Sequence, residues 1–320
     1  MRYLITGGAG FIGSHLCEHL LQQGHEVFII DDLSTGSIEN IEHLRTDKHF
    51  HVQIDTIANV PLLAELVDRC DTVIHLAAAV GVQLVMENPI KTIQTNVAGT
   101  ELVLRQANKK KKKVLIASTS EVYGKSEKIP FREDQDLVLG PPTKGRWRYA
   151  CSKALDEFMA LAYWEEKKLP VVIFRLFNTV GPRQTGRYGM VLPRFAKQAL
   201  AGAPITVYGD GKQTRCFTYV KEVCEILSRL ALEEKAVGEI YNIGGQDEIA
   251  MRDLAEKVKQ YTHSSSEIVY LPYEQVFGKD FEDFARRVPA TDKLFNLLGI
   301  RPHMTIDQIL AEMVEYWAQA

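Results

Sequence analysis

No Cys-x-x-Cys pair occurs in this chain, and its five cysteines (Cys17, Cys70, Cys151, Cys216 and Cys224) are scattered. That excludes a thiolate metal site and a disulfide framework, and it fits reduced thiols in the cytoplasm. His75 has no second ligand at metal spacing and reads as a support for core or backbone, so no metal is expected. No apolar run is long enough to cross a bilayer, and the first residues enter a strand-like run without a signal-peptide pattern. No membrane partner is expected. Positive charge is not in excess either. The 38 Lys and Arg stand against 41 Asp and Glu, a net charge of −3, which excludes the basic footprint of a nucleic-acid binder. The basic cluster at residues 109–113 reads as a solvated helix C-terminus. Internal repeats and low-complexity linkers are absent.

What is present is ordinary globular material. The 320 residues, 46% of them hydrophobic, suffice for two domains or one large domain with a satellite. Residues 2–6 read as a short apolar strand. A glycine-rich turn follows, then a helical pattern over 14–22, then a strand over 26–30 closed by Asp31 and Asp32. This is a βαβ unit of about 30 residues. Further strand-like runs at 72–76, 114–118 and 171–176 alternate with helical patterns at 90–108 and 149–168. The alternation predicts an α/β fold, a doubly wound parallel sheet of the Rossmann kind. Beyond Asn178 glycine and proline become frequent, through Gly181, Pro182, Gly186 and Gly189. A helix near 221–232 and a strand near 239–243 follow. The reading is a cofactor-binding domain over 1–177, to which segments near 216–245 return. A smaller, partly interleaved substrate domain covers 178–320.

The turn TGGAGFIG (residues 6–13) spaces Gly7, Gly10 and Gly13 three apart. Gly7 allows the tight turn, Gly10 lets the backbone approach a pyrophosphate, and Gly13 lets the helix pack close to the sheet. Glycine triplets also occur in plain turns. Here the triplet lies between strand and helix, with an acid at the end of the next strand, which points to a dinucleotide. Phe11 and Ile12, on the same turn, join the cofactor-binding candidates. Asp31 suits the hydroxyls of an adenosine ribose and repels a 2′-phosphate, which favours NAD over NADP. Asp55 could approach the adenine or be a plain loop acid.

Tyr149 and Lys153, in YACSK, lie one helical turn apart on the same face. A neighbouring ammonium and a positive nicotinamide would favour phenolate, making Tyr149 a base that takes a hydroxyl proton while hydride leaves the same carbon. Thr119, in STSEVYG, would share that hydroxyl network. Glu121 stands two residues on. It is either a solvated turn acid or a base beside the C5 proton of a 4-keto sugar. Arg215, a cation in an apolar strand pattern, suits a diphosphate, a sugar carboxylate or an internal acid. Arg183 and one of Arg286 and Arg287, of which Arg286 is preferred, are further phosphate candidates. Tyr208 could pack on a nucleobase or in the core.

TGGAGFIGSHL, HLAA, NVAGT, STSEVYG, YACSK, FNTVGPR and RRVPATDKLFNLLGIRP, in this order, resemble the extended short-chain dehydrogenase/reductases that act on nucleotide sugars. The resemblance covers nearly the whole chain. It implies NAD held by Gly7, Gly10, Gly13, Asp31 and Asp55, with Lys153 on the nicotinamide ribose. It implies C4 oxidation by Thr119 and Tyr149, and a nucleotide sugar bound by Asn178 and Arg215. Such enzymes usually form homodimers through two helices, here those near 95–108 and 149–168. Thr-Ser-Glu at 119–121, RWRYACSK and KQTRCFTYV are similar to UDP-glucuronate decarboxylases, where Ser120 or Glu121 could place the proton donor for C5. QTGRYGM looks more like the loop of UDP-sugar 4-epimerases, and Ile54 stands where glycine is common. The leading expectation is UDP-glucuronate decarboxylase, an NAD enzyme with a UDP-sugar as its partner. A UDP-sugar 4-epimerase is the alternative. A 4,6-dehydratase or a non-catalytic NAD-binding module ranks below both.

Overall fold

Successive residues of the first strand, Arg2–Thr6 (β1), enter different cores: Tyr3 and Ile5 join one, Leu4 the other. The period of two in a strand sends neighbours to opposite faces, and both faces here are covered, as a parallel sheet requires. The computed structural model describes residues 1–80, 88–186, 190–277 and 284–319. After β1 come α1 (Phe11–Gln22), β2 (Glu26–Asp31), β3 (Phe50–Ile54), α2 (Val60–Arg69) and β4 (Thr72–His75). Then follow α3 (Pro89–Asn108), β5 (Lys113–Thr119), a 3-10 turn over Ser120–Tyr123, α4 (Trp147–Lys167) and β6 (Val171–Leu176). The later chain adds β7 (Thr179–Val180), α5 (Val191–Leu200), β8 (Ile205–Tyr208), β9 (Thr214–Cys216), β10 (Thr218–Tyr219), α6 (Val220–Leu232) and β11 (Glu239–Ile243). It closes with β12 (Glu248–Ala250), α7 (Met251–Tyr261), β13 (Ile268–Leu271), α8 (Tyr273–Phe277), α9 (Asp292–Leu298) and α10 (Ile306–Gln319).

Seven strands form the central sheet in the order β11-β6-β5-β4-β1-β2-β3, and every pairing is parallel. Strand order reverses between β1 and β4, so the carboxyl ends there open into a crevice. Leu16 and Leu20 of α1 and Val223 and Leu227 of α6 cover one face with Ile29 and Phe174. Leu63 and Leu66 of α2 and Val103 and Leu104 of α3 cover the other with Phe28 and Ile173. The doubly wound α/β expectation holds. The strand near 239–243 joins the sheet beside β6 although it follows much of the C-terminal region. That region carries three two-stranded pairs, β7 with β10, β9 with β12, and β8 with β13.

One expectation is corrected. The lysine run is not all helix end: α3 stops at Asn108, and Lys113 opens β5, buried, with its Nζ donating to the Glu233 carbonyl at 2.8 Å. Among the described residues no helix is long and apolar enough to cross a membrane.

Candidate active site

A cleft of about 760 Å³ opens along the carboxyl ends of β1, β2, β4, β5 and β6. The glycine turn forms its floor. Gly7 has φ +76°, and a Cβ there would stand 2.9 Å from the Ala77 backbone nitrogen. A Cβ on Gly13 would fall 2.1 Å from the Gly7 carbonyl, so only glycine lets α1 approach the turn this closely. Gly10 caps α1 with no side-chain bond, leaving the amides of Phe11, Ile12 and Gly13 at the positive end of the helix. All five turn residues line the cleft. Asp31 ends β2 and accepts the Ala9 and Leu33 amides at 2.9 and 2.8 Å. Burial pushes its carboxyl up, and those amides pull it back. Asp55 also lines the cleft, its carboxylate held by the Asn59 side-chain amide and the Thr56 amide, both at 2.7 Å. Ile54 is exposed and leaves Asp55 its place at the wall. Bare amides, close glycines and a carboxylate at the end of β2 fit a dinucleotide such as NAD.

Thr119 ends β5, and its hydroxyl accepts the Glu121 amide at 3.2 Å, capping the 3-10 turn. The same side chain hydrogen-bonds Tyr149 on α4. Tyr149 is half-buried in the cleft wall. Burial pushes its phenol well above the ordinary range, and the charges of Glu121 and Asp156 add to this. The Thr119 hydrogen bond and the Arg287 charge pull it back. Lys153, the ammonium expected to favour phenolate together with a bound nicotinamide, is buried and donates its Nζ to Asp156 Oδ2 at 2.7 Å. His75 is the core support expected: Nδ1 meets Thr6 Oγ1 at 2.7 Å, Nε2 meets Thr100 Oγ1 at 3.2 Å, and burial pushes it down to about 3.

The opposite wall comes from the C-terminal region. Arg215 is buried there, its Nη1 donating to the Thr214 and Phe284 carbonyls at 2.7 and 2.9 Å. Asn178 donates to the Cys216 carbonyl at 3.0 Å and accepts from Arg287 Nη2 at 3.2 Å. Ser120 is buried at the same junction and meets Arg287 Nη1 at 3.4 Å. Tyr208 lines the cleft with the Arg194 guanidinium 3.7 Å from its ring centre.

Two of the arginine candidates are elsewhere. Arg183 turns to α1, where it pairs with Glu18 and donates to the Ser14 hydroxyl at 3.2 Å; it is not part of the cleft wall. Arg286 is exposed and clamped on Glu248 at 2.8 and 2.6 Å. Its neighbour Arg287 turns inward, 9% exposed, and its Nη1 lies 3.7 Å from Glu121 Oε1. Glu121 lines the cleft and is no solvated turn acid. Residues 187–189 of QTGRYGM, including Gly189, lie outside the described residues; Gln184 lines the cleft and donates to the Thr179 carbonyl at 2.8 Å. Among the described residues no cluster of His, Cys, Asp and Glu could hold a metal ion.

A family profile described as GDP-mannose 4,6 dehydratase matches residues 4–313. A UDP-N-acetyl-alpha-D-glucosaminuronate decarboxylase of Bacillus cytotoxicus is 45% identical over 319 residues, covering 99% of this chain and 98% of that protein. UDP-glucuronic acid decarboxylase 1 of Danio rerio is 36% identical, covering 99% of this chain and 73% of that protein. The crystal structure of a UDP-glucuronic acid 4-epimerase from Bacillus cereus, in complex with UDP-glucuronic acid and NAD, superposes with a TM-score of 0.89 at 29% identity. It covers 100% of this chain and 99% of that one.

Proposed function

Because the chain belongs to the GDP-mannose 4,6-dehydratase family, an NAD-dependent nucleotide-sugar enzyme family, we propose that it is a UDP-hexuronate decarboxylase working through a transient 4-keto sugar. The observation that carries this reading is Glu121 and Arg287 facing each other beside the Thr119–Tyr149 hydroxyl pair. Residues of 1–177 hold the cofactor, and those of 178–320, with Ser120, hold the sugar nucleotide.

Bound NAD supplies the hydride acceptor for C4 oxidation. Gly7, Gly10, Gly13, Phe11 and Ile12 hold its pyrophosphate, Asp31 its adenosine ribose, Asp55 its adenine and Lys153 its nicotinamide ribose. Tyr149, bonded to Thr119, takes the proton of the 4-hydroxyl. The ketone then lies β to the C5 carboxylate. The bond from C5 to the carboxylate breaks, releasing carbon dioxide, and its electrons enter the C4 carbonyl; once C5 is protonated, the hydride taken from C4 returns to it and Tyr149 gives the 4-oxygen its proton back, which leaves a UDP-pentose. Arg287 suits the sugar carboxylate, and Ser120 and Glu121, which it contacts, suit the proton donor that C5 then needs. Arg215 and Asn178 suit the diphosphate, and Tyr208 the base.

The 45% relative favours the N-acetylated uronate over glucuronate as substrate. Proton NMR of each UDP-uronate with protein and NAD tests this. The expected product is a UDP-pentose, N-acetylated for the first, with carbon dioxide released. Recovery of the 4-epimer with its carboxylate intact would sink decarboxylation and establish the alternative, which the Bacillus cereus 4-epimerase supports. No change in either uronate would end the uronate reading.

A homodimer completes the proposal. Helices α3 and α4 pack together, and Ile90 (72% exposed) and Phe158 (66%) stand out from them, with Ile93 and Leu155 also exposed. Such a patch suits a second copy. Ala150 and Met159 of α4 pack inward. Light scattering should give about twice the 36.1 kDa chain mass, and a mass of one chain would overturn the dimer. Five free thiols suit the cytoplasm.

A further inference from the structure

Arg146, Tyr149 and Lys153 follow one another at i, i+3 and i+7, and all three line the cleft. Arg146 is the N-cap of α4 and already has helical dihedrals, φ −55° and ψ −37°, so it shares the helix face of the other two. It is 7% exposed, and its guanidinium carbon lies 4.6 Å from the ring centre of Phe284. Arg287 lies over the same ring at 4.9 Å. Phe284 itself is pinned. Its carbonyl accepts Arg215 Nη1 at 2.9 Å, and the next carbonyl, of Ala285, accepts the Thr214 amide at 2.9 Å. Trp147, the first residue of α4, meets the ring edge-on at 5.7 Å. One buried aromatic ring thus gathers two cleft-lining guanidiniums. One comes from the helix of Tyr149, the other from the segment that contacts Ser120 and Glu121. Stacking engages the face of a guanidinium and leaves its planar fork of N–H donors on the edge, the shape that grips a carboxylate.

We propose that Arg146 is a further substrate-binding residue: with Arg287, across the Phe284 ring, it holds the sugar carboxylate and makes the site select a uronate over a neutral hexose. This rests on the reading of the protein as a UDP-hexuronate enzyme with Tyr149 at the 4-hydroxyl. The reach agrees with the chemistry. In a uronate the carboxylate carbon is two bonds from C4. Whatever grips the carboxylate must therefore stand close to whatever takes the 4-hydroxyl proton. Arg146 precedes Tyr149 by less than one helical turn along the axis. A neutral hexose carries a hydroxymethyl group at that place and offers neither a charge nor a second acceptor oxygen. Two guanidiniums on the two carboxylate oxygens also fix the plane of that group, and so the direction of the bond that breaks at C5. Phe284 touches neither sugar nor cofactor in this scheme. It is a positioning residue that sets where the two guanidiniums stand.

The test is calorimetry in the Tyr149→Phe protein loaded with oxidised cofactor, where nothing turns over. Three ligands are compared: the N-acetylated UDP-uronate, the neutral UDP-hexose with hydroxymethyl in place of carboxylate, and UDP. Arg146→Met should weaken the uronate about 10- to 100-fold, the scale of a lost hydrogen bond to a charged group. The hexose and UDP should stay within about twofold. Phe284→Leu should weaken the uronate alone by about threefold, and Phe284→Tyr, which keeps the aromatic face, should restore it. Uronate affinity within about twofold of the parent in Arg146→Met would overturn the proposal. So would equal losses for all three ligands, the mark of a merely structural arginine. If Arg146→Met no longer binds cofactor, Arg146→Lys decides, since it keeps the charge and loses the fork. A fall of about threefold or more for the uronate alone then supports the proposal, and any other pattern overturns it. If the parent protein holds the uronate no better than the hexose, the uronate reading itself fails, before any Arg146 variant is made.

Discussion

Replacing Tyr149 by phenylalanine is expected to lower kcat about 10³-fold, the loss of one general base, or roughly 4 kcal/mol of barrier. Phenylalanine keeps the ring against the cleft wall and removes only the hydroxyl that bonds Thr119. Cofactor affinity should stay within about threefold, since the glycine turn and Asp31 lie on other elements. The direct reading is absorbance at 340 nm after mixing with a UDP-uronate: a rise from C4 oxidation in the unchanged protein, none in Tyr149→Phe. Activity within tenfold of the unchanged protein would remove Tyr149 from the chemistry. The pH dependence has a definite sign. Burial favours neutral phenol, so the reactive phenolate fraction grows with pH and the rate rises from the acid side.

Glu121→Gln should lower turnover by about 10²- to 10⁴-fold, through a different step. The amide fills the same volume beside Arg287 but carries neither charge nor a transferable proton. Cofactor binding should be unchanged. The 340 nm rise should also survive, because Thr119 and Tyr149 remain, while release of the pentose stops. Paired with Tyr149→Phe, the variant separates oxidation at C4 from proton delivery at C5. Full activity of Glu121→Gln would sink the decarboxylase argument, since no other observation distinguishes it from epimerisation as sharply.

The parallel sheet and cofactor floor were legible because their signals are local. Buried strands, glycine spacing and an acid at a strand end lie within thirty-odd residues, and each has a steric or electrostatic reason. The stretch at 50–69 was not read. Strand β3 is an edge strand that leaves Gln53 and Ile54 exposed, so FHVQI carries no continuous apolar signal. The arginines failed for another reason. What Arg183 pairs with, Glu18, is 165 residues away, and nothing near Arg183 announces it. Arg286 and Arg287 are like neighbours in sequence, and only the fold sends the first to Glu248 and the second to Asn178 and Glu121. Arg194, on α5, carries no local sequence signal that sets it apart from a surface arginine, yet it stacks on Tyr208 at the cleft. Asp156 was invisible because an acid three residues after a lysine is an ordinary sight on a solvated helix.

Strand β11 has a consequence for how this protein is made. The central sheet lacks one edge until residue 243 has left the ribosome, and α1 lacks its packing partner α6 until residue 232 has. A nascent chain that has reached only β6 therefore carries an open, apolar strand edge while some sixty further residues are added, about three to twelve seconds at ordinary elongation rates. Completion of the sheet waits until β7 to β10 have been made, so Asn178, Tyr208 and Arg215 of the opposite wall emerge before the sheet can close and Arg287 after it. In a cell, protection of that waiting edge is a natural task for a chaperone, and the interval in which it is needed is written into the strand order.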